Sequence, residues 1–168
     1  MPYKLLFVCL GNICRSPAAE NIMNYLISHN QLGEQIICDS AGTSSYHIGS
    51  PPDQRMSAAA ATRLGIKLSG KARQLKKSDL ENFDLILAMD LVNYQEILAL
   101  DPTEQYWDKV HLMCDFCSKY STKEVPDPYY GGAEGFNFVI DLLLDASLGL
   151  LKHVNEGLGA RGEGREEG

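Results

Sequence analysis

A cysteine and an arginine lie six positions apart near the start of the chain, at Cys9 and Arg15. The residues between them include Gly11 and Asn12, which tolerate positive φ angles and so let successive backbone N–H groups curl around one centre. Such a loop can hold a phosphate group, whose oxygens a guanidinium grips in pairs, and its dipoles also favour a thiolate. These residue types in this order predict a cysteine nucleophile that attacks phosphorus.

The elements on either side of the loop favour the same interpretation. A nearly continuous apolar run from Tyr3 to Cys9 predicts a buried parallel strand, and Ser16-Pro17 predicts the first turn of a helix. A strand–loop–helix junction presents unpaired backbone N–H groups, which form an anion site. The alternative for the same residues is a buried cysteine that closes a strand, followed by a surface arginine. The predicted phosphate-binding residues are Leu10, Gly11, Asn12, Ile13, Cys14 and Ser16.

A proton donor is the second requirement of this chemistry, because the departing oxygen of a phosphate ester must be protonated. Asp127 is the best candidate, since the prolines on both sides hold it in a stiff loop and the two tyrosines that follow can wall an aromatic substrate. The alternative is an ordinary Asp-Pro turn. Asp39 and Asp90 are rival acids, because each lies near the end of a predicted strand.

Strands alternate with helices along the chain. Strands are predicted over residues 3–9, 35–40, 84–89 and 109–113, and helices from residue 16 onward and over residues 53–64, 91–100 and 134–154. The alternation predicts an α/β fold, a single doubly wound domain with a four-stranded parallel sheet flanked by helices. Ligands of such folds bind beyond the carboxyl ends of the strands, where Cys9, Ser40 and Asp90 fall. We expect the domain to cover residues 1–156 and the Gly-rich, charged residues 157–168 to be a flexible tail.

Composition limits the partners. A net charge of −7 and a pI of about 5.0 argue against nucleic acid and against electrostatic attachment to a membrane. An odd number of cysteines and the lack of a secretory signal or a long apolar segment indicate reduced thiols in the cytoplasm.

We expect no metal site, because Cys114 and Cys117 are one pair and a structural zinc needs four ligands. The reaction needs no organic cofactor, and a monomer is expected, with a weak dimer as the alternative.

Together these motifs resemble the low-molecular-weight protein tyrosine phosphatase family. The resemblance extends from about residue 3 to residue 154, and it is carried by residues 8–17, 39–43, 72–74, 89–90 and 127–130. It implies that Cys9 is the nucleophile, that Arg15 clamps the transition state, and that Asp127 is the general acid and later the general base.

The same resemblance implies supporting roles. Ser16 would stabilise the thiolate, and Asn12 would hold the strained backbone of the loop with help from Ser40. The substrate cleft would be lined by Leu10, Tyr46, Tyr129 and Tyr130.

Two further features of the sequence concern the support and the redox chemistry of this loop. Many members of the family carry a histidine that bonds the loop asparagine, and Gly70 stands there in this chain, which leaves the loop one hydrogen bond poorer unless water or Ser69 substitutes. Cys14 is predicted to form a reversible disulfide with Cys9 that protects the thiolate from over-oxidation. The alternative for Cys14 is a small residue packed behind the loop.

The expected function is hydrolysis of phosphotyrosine in proteins, with inorganic phosphate as the product. Activity should be best on the acid side of neutral, because a thiolate and a protonated carboxyl must coexist. A thiol-coupled arsenate reductase resembles the same loop but needs relay cysteines, usually after the third strand, where residues 88–90 contain none. A non-catalytic phosphotyrosine-binding module is the alternative from another class, and it would not need Asp127.

Overall fold

The computed structural model describes the backbone of residues 1–167 and the side chains of residues 1–159. Four parallel strands form one sheet in the order β2-β1-β3-β4. The strands are β1 (Tyr3–Cys9), β2 (Ile36–Gly42), β3 (Leu85–Ala88) and β4 (Val110–Leu112). The helices are α1 (Arg15–His29), α2 (Gln54–Leu64), α3 (Lys77–Asn82), α4 (Leu91–Ala99) and α5 (Ala133–Glu167), with short 3₁₀ helices at Trp107–Lys109 and Met113–Phe116. The predicted α/β class and four-stranded parallel sheet are confirmed.

The central strand β1 has helices on both of its faces, which explains why its sequence is apolar without alternation. Leu5 and Phe7 pack into a core formed with α1, α2 and α5. Leu6 and Val8 point the other way, into a smaller core formed with α3 and α4. All four side chains are fully buried. The carboxyl end of β1, and with it Cys9, is thereby fixed in the middle of the sheet edge.

Local capping sets where the helices begin and end. The Asp53 carboxylate accepts hydrogen bonds from the N–H groups of Arg55 and Met56 at the start of α2, and Gly65 ends that helix in the left-handed region at φ 65°. The Asp90 carboxylate caps α4 through the N–H of Asn93. No side chain caps the start of α1. Helix α1 begins directly after the loop that is predicted to bind an anion. Its first backbone N–H groups therefore have no carboxylate cap that would compete with a bound anion.

Several boundaries differ from the sequence-based prediction. Strand β2 runs on to Gly42, and the short helix α3 was not predicted. Helix α5 continues to Glu167, so its predicted end at Val154 is wrong. The flexibility of residues 157–168 stays a prediction, and the side chains from residue 160 onward lie outside the described part of the chain. Among the described residues, no helix has both the length and the apolar composition to cross a membrane.

Close packing of α5 on the 3₁₀ helix Met113–Phe116 requires a glycine. A Cβ atom at Gly149 would overlap the carbonyl oxygen of Phe116 and lie 3.0 Å from its carbonyl carbon, whereas a Cβ at Gly157 in the same helix has open space around it. Gly149 therefore permits the contact between α5 and the residues that follow β4.

We expect Gly149→Ala to lower the free energy of unfolding by about 1–3 kcal/mol, because the steric overlap outweighs the gain in helix propensity. Gly157→Ala is the matched control and should leave stability unchanged or raise it by up to about 1 kcal/mol. Urea denaturation of both variants measures the difference. A Gly149→Ala protein as stable as wild type would contradict the packing argument.

Candidate active site

The sulfur of Cys9 lies at the carboxyl end of β1, almost completely buried. Two groups contact it: the Ser16 hydroxyl, with Oγ 2.9 Å from Sγ, and the backbone N–H of Asn12, which donates to Sγ at 3.3 Å. Donors directed at sulfur stabilise its anionic form more than its neutral form. Both donors come from the segment that follows β1, so this segment contacts the Cys9 sulfur from two positions.

Asn12 holds the loop in its shape. Its φ of 58° lies in the left-handed region, which few residues other than glycine adopt. Its side-chain NH₂ donates to Ser16 Oγ at 2.8 Å and to Ser40 Oγ at 2.9 Å, and its Oδ1 accepts from the backbone N–H of Arg73 at 2.9 Å. Because both N–H groups are committed, Ser16 Oγ acts as an acceptor toward Asn12, and its own proton is left for Cys9.

Glu20 extends this network away from the cleft. The Ser40 hydroxyl accepts from Asn12 and donates to Glu20 Oε1 at 2.6 Å. Burial raises the pKa of the Glu20 carboxyl, and the Ser40 hydrogen bond partly offsets that effect. Glu20 could not be predicted from the sequence as a member of this network, because nothing local in α1 distinguishes it from a surface glutamate.

Gly70 lies beside a cavity of about 60 Å³ behind the loop, and no atom of a residue beyond its two chain neighbours lies within 4 Å of the place where its Cβ would be. Ser69 does not substitute for a missing partner of Asn12, since its hydroxyl and N–H contact Asn21 instead. The side-chain oxygen of Asn12 is held by the Arg73 backbone N–H. That donor has no side-chain signature, so the sequence could not reveal it.

Arg15 joins the loop to two later segments. One guanidinium nitrogen donates to Asp90 Oδ2 at 2.6 Å and to the carbonyl of Val125 at 3.1 Å, and the other lies 3.7 Å from Asp127 Oδ2. Burial opposes the charge, but Cys9, Asp90 and Asp127 raise the pKa of Arg15 above its usual range. The Arg15 guanidinium is thus charged, Arg15 is 2% exposed, and it lines the same cleft as Cys9.

The rival acids have other partners. Asp90 bonds Arg15 with one oxygen and caps α4 with the other. Asp39 forms an ion pair with Arg73 at 3.0 Å. The Asp127 side chain is partly exposed, and its Oδ1 accepts from the N–H of Tyr129 at 3.1 Å, which fixes the carboxylate within its own turn. Of these three carboxylates, only that of Asp127 lines the cleft.

The cleft has a volume of about 390 Å³ and brings together most of the predicted site residues. Asn12, Ser16 and Ser40 lie behind it as support. Ser44 and His47 also line the cleft and were not among the predicted site residues, although both belong to the polar loop that contains Tyr46. The lining residues are Cys9, Leu10, Gly11, Ile13, Cys14, Arg15, Ser44, Tyr46, His47, Asp127, Tyr129 and Tyr130.

The cysteines differ in their surroundings. Burial and the nearby charges of Asp53, Cys9 and Asp127 raise the pKa of Cys14 to about 12. Burial likewise raises the pKa of Cys114 to about 11 and that of Cys117 to about 12, and neither lines the cleft.

Metal binding has no support among the side chains that the structure describes. Within residues 1–159, no group of three or more His, Cys, Asp or Glu side chains is arranged to hold a metal ion.

Comparison with known proteins gives the class to which this fold and cleft belong. Residues 4–159 match the family model described as low molecular weight phosphotyrosine protein phosphatase. A Synechocystis sp. protein, named provisionally as a low molecular weight protein-tyrosine-phosphatase, is 58% identical over 155 residues, which cover 92% of this chain and 98% of that protein. The human low molecular weight phosphotyrosine protein phosphatase is 39% identical over 137 residues, 81% of this chain and 85% of its own length.

Comparison with solved structures leads to the same class. A crystal structure of a protein tyrosine phosphatase from Entamoeba histolytica, with Hepes in the active site, superposes with a TM-score of 0.89 at 52% identity and covers 92% of this chain and 98% of that one. Bacillus subtilis YfkJ superposes with a TM-score of 0.85 at 35% identity, covering 94% and 97%. The chain is an enzyme of the protein tyrosine phosphatase class. It belongs to the low molecular weight phosphotyrosine protein phosphatase family.

Glu20 makes the stability of the folded protein depend on pH. Its pKa is raised in the folded protein above the ordinary value of 4.5, so the folded protein binds this proton more tightly than the unfolded chain does. Stability from this group is therefore present below pH 4.5 and is lost as pH rises through the folded pKa.

We expect the free energy of unfolding of Glu20→Gln, relative to that of wild type, to be higher at about pH 7 than at about pH 4. Glutamine stays neutral at both pH values and can still accept the hydrogen bond from Ser40. Urea denaturation at both pH values gives the two differences in unfolding free energy. Glu34→Gln, at an exposed position, is the control and should show no such change. A Glu20→Gln difference that is constant or falls with pH would contradict the burial argument.

Proposed function

We propose that this cleft hydrolyses the phosphate monoester of tyrosine side chains in two steps, with Cys9 as nucleophile, Arg15 as clamp and Asp127 as proton donor and acceptor. The observation that carries the proposal is the convergence of these three groups on one cleft: a buried sulfur with two donors, a buried guanidinium and a more exposed carboxylate. A phosphate-binding pocket alone would not require the carboxylate.

In the first step the Cys9 thiolate attacks phosphorus, so that an S–P bond forms while the P–O bond to the phenol breaks. Asp127 in its protonated form gives its proton to the departing phenolate oxygen. Arg15 and the backbone N–H groups of the loop hold the three non-bridging oxygens. The loop residues assigned to this contact are Leu10, Gly11, Asn12, Ile13, Cys14 and Ser16.

In the second step Asp127, now a carboxylate, takes a proton from water as the water oxygen attacks phosphorus. The S–P bond breaks, inorganic phosphate leaves, and the Cys9 thiolate is restored. The Ser16 hydroxyl stabilises that thiolate, and its direction is set by Asn12 and, behind it, Ser40. No step requires a metal or an organic cofactor.

The walls of the cleft suit an aromatic leaving group. Tyr46 and Tyr130 are 85% and 94% exposed, and the rings of Tyr129 and Tyr130 meet edge to face with centroids 5.0 Å apart. With Leu10 they form an apolar rim above the polar loop, into which a phenyl ring can insert. The proposed substrates are phosphotyrosine-containing proteins, acted on in the cytoplasm by a monomeric enzyme, with a weak dimer as the alternative.

Substrates with different leaving groups can distinguish Asp127 as a proton donor from Asp127 as a purely structural residue. We expect Asp127→Asn to lower kcat for phenyl phosphate by about 10²-fold or more and to affect aryl phosphates with more acidic phenols less, because those leave without a proton. Asparagine keeps an acceptor for the Tyr129 N–H, so the turn is preserved. Steady-state kinetics across a series of aryl phosphates, with Asp108→Asn as a surface control, gives the dependence. An equal loss for every leaving group would contradict the assignment.

Peroxide tests the predicted role of Cys14. Hydrogen peroxide converts the Cys9 thiolate to a sulfenic acid and is itself reduced to water; the Cys14 thiol then displaces water to form a disulfide. We expect wild type to recover its activity with added thiol and Cys14→Ser to be inactivated irreversibly, with Cys38→Ser behaving as wild type. Activity assays before and after thiol treatment decide this. Irreversible loss in wild type, no worse in Cys14→Ser, would contradict it.

A further inference from the structure

The polar segment that leads to Asp127 is attached to the rest of the protein at both of its ends. At its start, the Asp145 carboxylate of α5 accepts from the backbone N–H groups of three consecutive residues, 118 to 120, at 3.0–3.2 Å. At its end, the N–H of Val125 donates to the carbonyl of Met89 at 2.8 Å. Asp127 follows two residues beyond this second attachment.

Glu124 adds a side-chain contact next to this second attachment. Its Oε2 accepts from the backbone N–H of Leu91, the first residue of α4, at 2.8 Å. The first N–H groups of a helix have no partner within the helix and carry partial positive charge, so a carboxylate is a favourable partner for them. Asp90 accepts from the N–H of Asn93 in the same turn. The start of α4 therefore holds one carboxylate from its own cap and one from the segment that carries Asp127.

The contact of Glu124 closes a ring of contacts around Arg15. The guanidinium donates to Asp90 Oδ2 at 2.6 Å and to the Val125 carbonyl at 3.1 Å, and it lies 3.7 Å from Asp127 Oδ2. Because Asp90 caps α4 and Glu124 binds the first N–H of α4, that helix connects both sides of the ring. Val125 is fully buried, whereas Glu124 is exposed. Glu124 can therefore be replaced without leaving a cavity or an unpaired buried charge.

The chain between Glu124 and Asp127 has little freedom of its own. Pro126 fixes its own φ and restricts Val125 to an extended backbone. The two hydrogen bonds of Val125 hold one point of the segment but still allow the segment to tilt about that point. The contact of Glu124 lies on the neighbouring residue and is directed to a different element, so it opposes this tilt. The Asp127 carboxylate bonds the N–H of its own turn, which leaves the position of the whole turn to these contacts.

We propose that Glu124 is a positioning residue, which holds the Asp127 carboxyl where it can give its proton to the leaving oxygen of the substrate. This inference rests on the proposed function, in which Asp127 is the proton donor. Proton transfer needs the two oxygens within about 2.6–3.2 Å of each other, so a small tilt of the segment slows it. Glu124 lies outside the lining of the cleft and therefore acts through Asp127.

The test compares phenyl phosphate with p-nitrophenyl phosphate, whose more acidic phenol leaves with less need for a proton. The kcat/KM values of wild type, Glu124→Ala and Glu124→Gln report the steps up to the release of the phenol. We expect Glu124→Ala to lower kcat/KM for phenyl phosphate by about three- to ten-fold, the effect of one hydrogen bond. For p-nitrophenyl phosphate the loss should stay below about two-fold. Glu124→Gln keeps an oxygen for the Leu91 N–H and should recover most of the loss.

Three controls separate positioning from a general loss of structure. Glu96→Ala removes an exposed glutamate from α4 itself and should behave as wild type. Inhibition by inorganic phosphate should be equal in wild type and Glu124→Ala, because the loop that binds phosphate is unchanged. The double variant Glu124→Ala with Asp127→Asn should be no slower on phenyl phosphate than Asp127→Asn alone, because a residue that cannot donate a proton gains nothing from being well placed.

An equal loss for both substrates in Glu124→Ala, or no loss for either, would overturn the inference. A further loss in the double variant would overturn it too, as would a Glu124→Gln protein that is as slow as Glu124→Ala. Asp127→Asn is measured in parallel. If that variant shows no dependence on the leaving group, the proposed function of Asp127 fails. If it shows the dependence and Glu124→Ala does not, only the assignment of Glu124 fails.

Discussion

The side-chain amide of Asn12 is the contact on which the rest of the site depends. A non-glycine residue at φ 58° costs on the order of 1–3 kcal/mol, and three hydrogen bonds from separate segments offset that cost: Ser16 in α1, Ser40 in β2 and the backbone of Arg73. The same bonds fix the direction of every proton between Asn12 and Cys9. The geometry that strains the loop is therefore the geometry that stabilises a thiolate at its base.

Arg15 couples this loop to the opposite side of the cleft. Its contacts with Asp90, which caps α4, and with the Val125 carbonyl bring together the end of β3 and the segment that carries Asp127. The N–H of Val125 donates to the carbonyl of Met89, so the same segment is also tied to the sheet. Cys9 and Asp127, the proposed nucleophile and proton donor, lie more than a hundred residues apart in the chain, and one buried guanidinium links the segments that carry them.

The sequence was sufficient where structure depends on residue type at short range. The buried strand β1 and the position of Cys9 and Arg15 in one cleft could be predicted, because strand burial and loop geometry are local. Long-range partners could not: the Arg73 N–H is 61 positions from Asn12 and is a backbone donor, and Glu20 meets Ser40 across two elements. The end of α5 could not be predicted, because a Gly-rich composition disfavours helix, yet α5 continues to Glu167.

The central proposal is that the loop held by Asn12 makes the sulfur of Cys9 the atom that accepts the phosphoryl group. Trapping the covalent intermediate tests this proposal most directly. Wild-type enzyme mixed with an aryl phosphate is quenched within a turnover, and the phosphate is located by peptide mass spectrometry. The account predicts phosphate on the sulfur of Cys9, formed together with a burst of phenol release. Phosphate found on any other residue would contradict the assignment of Cys9. A burst of phenol release without any covalent phosphate on the protein would contradict it as well.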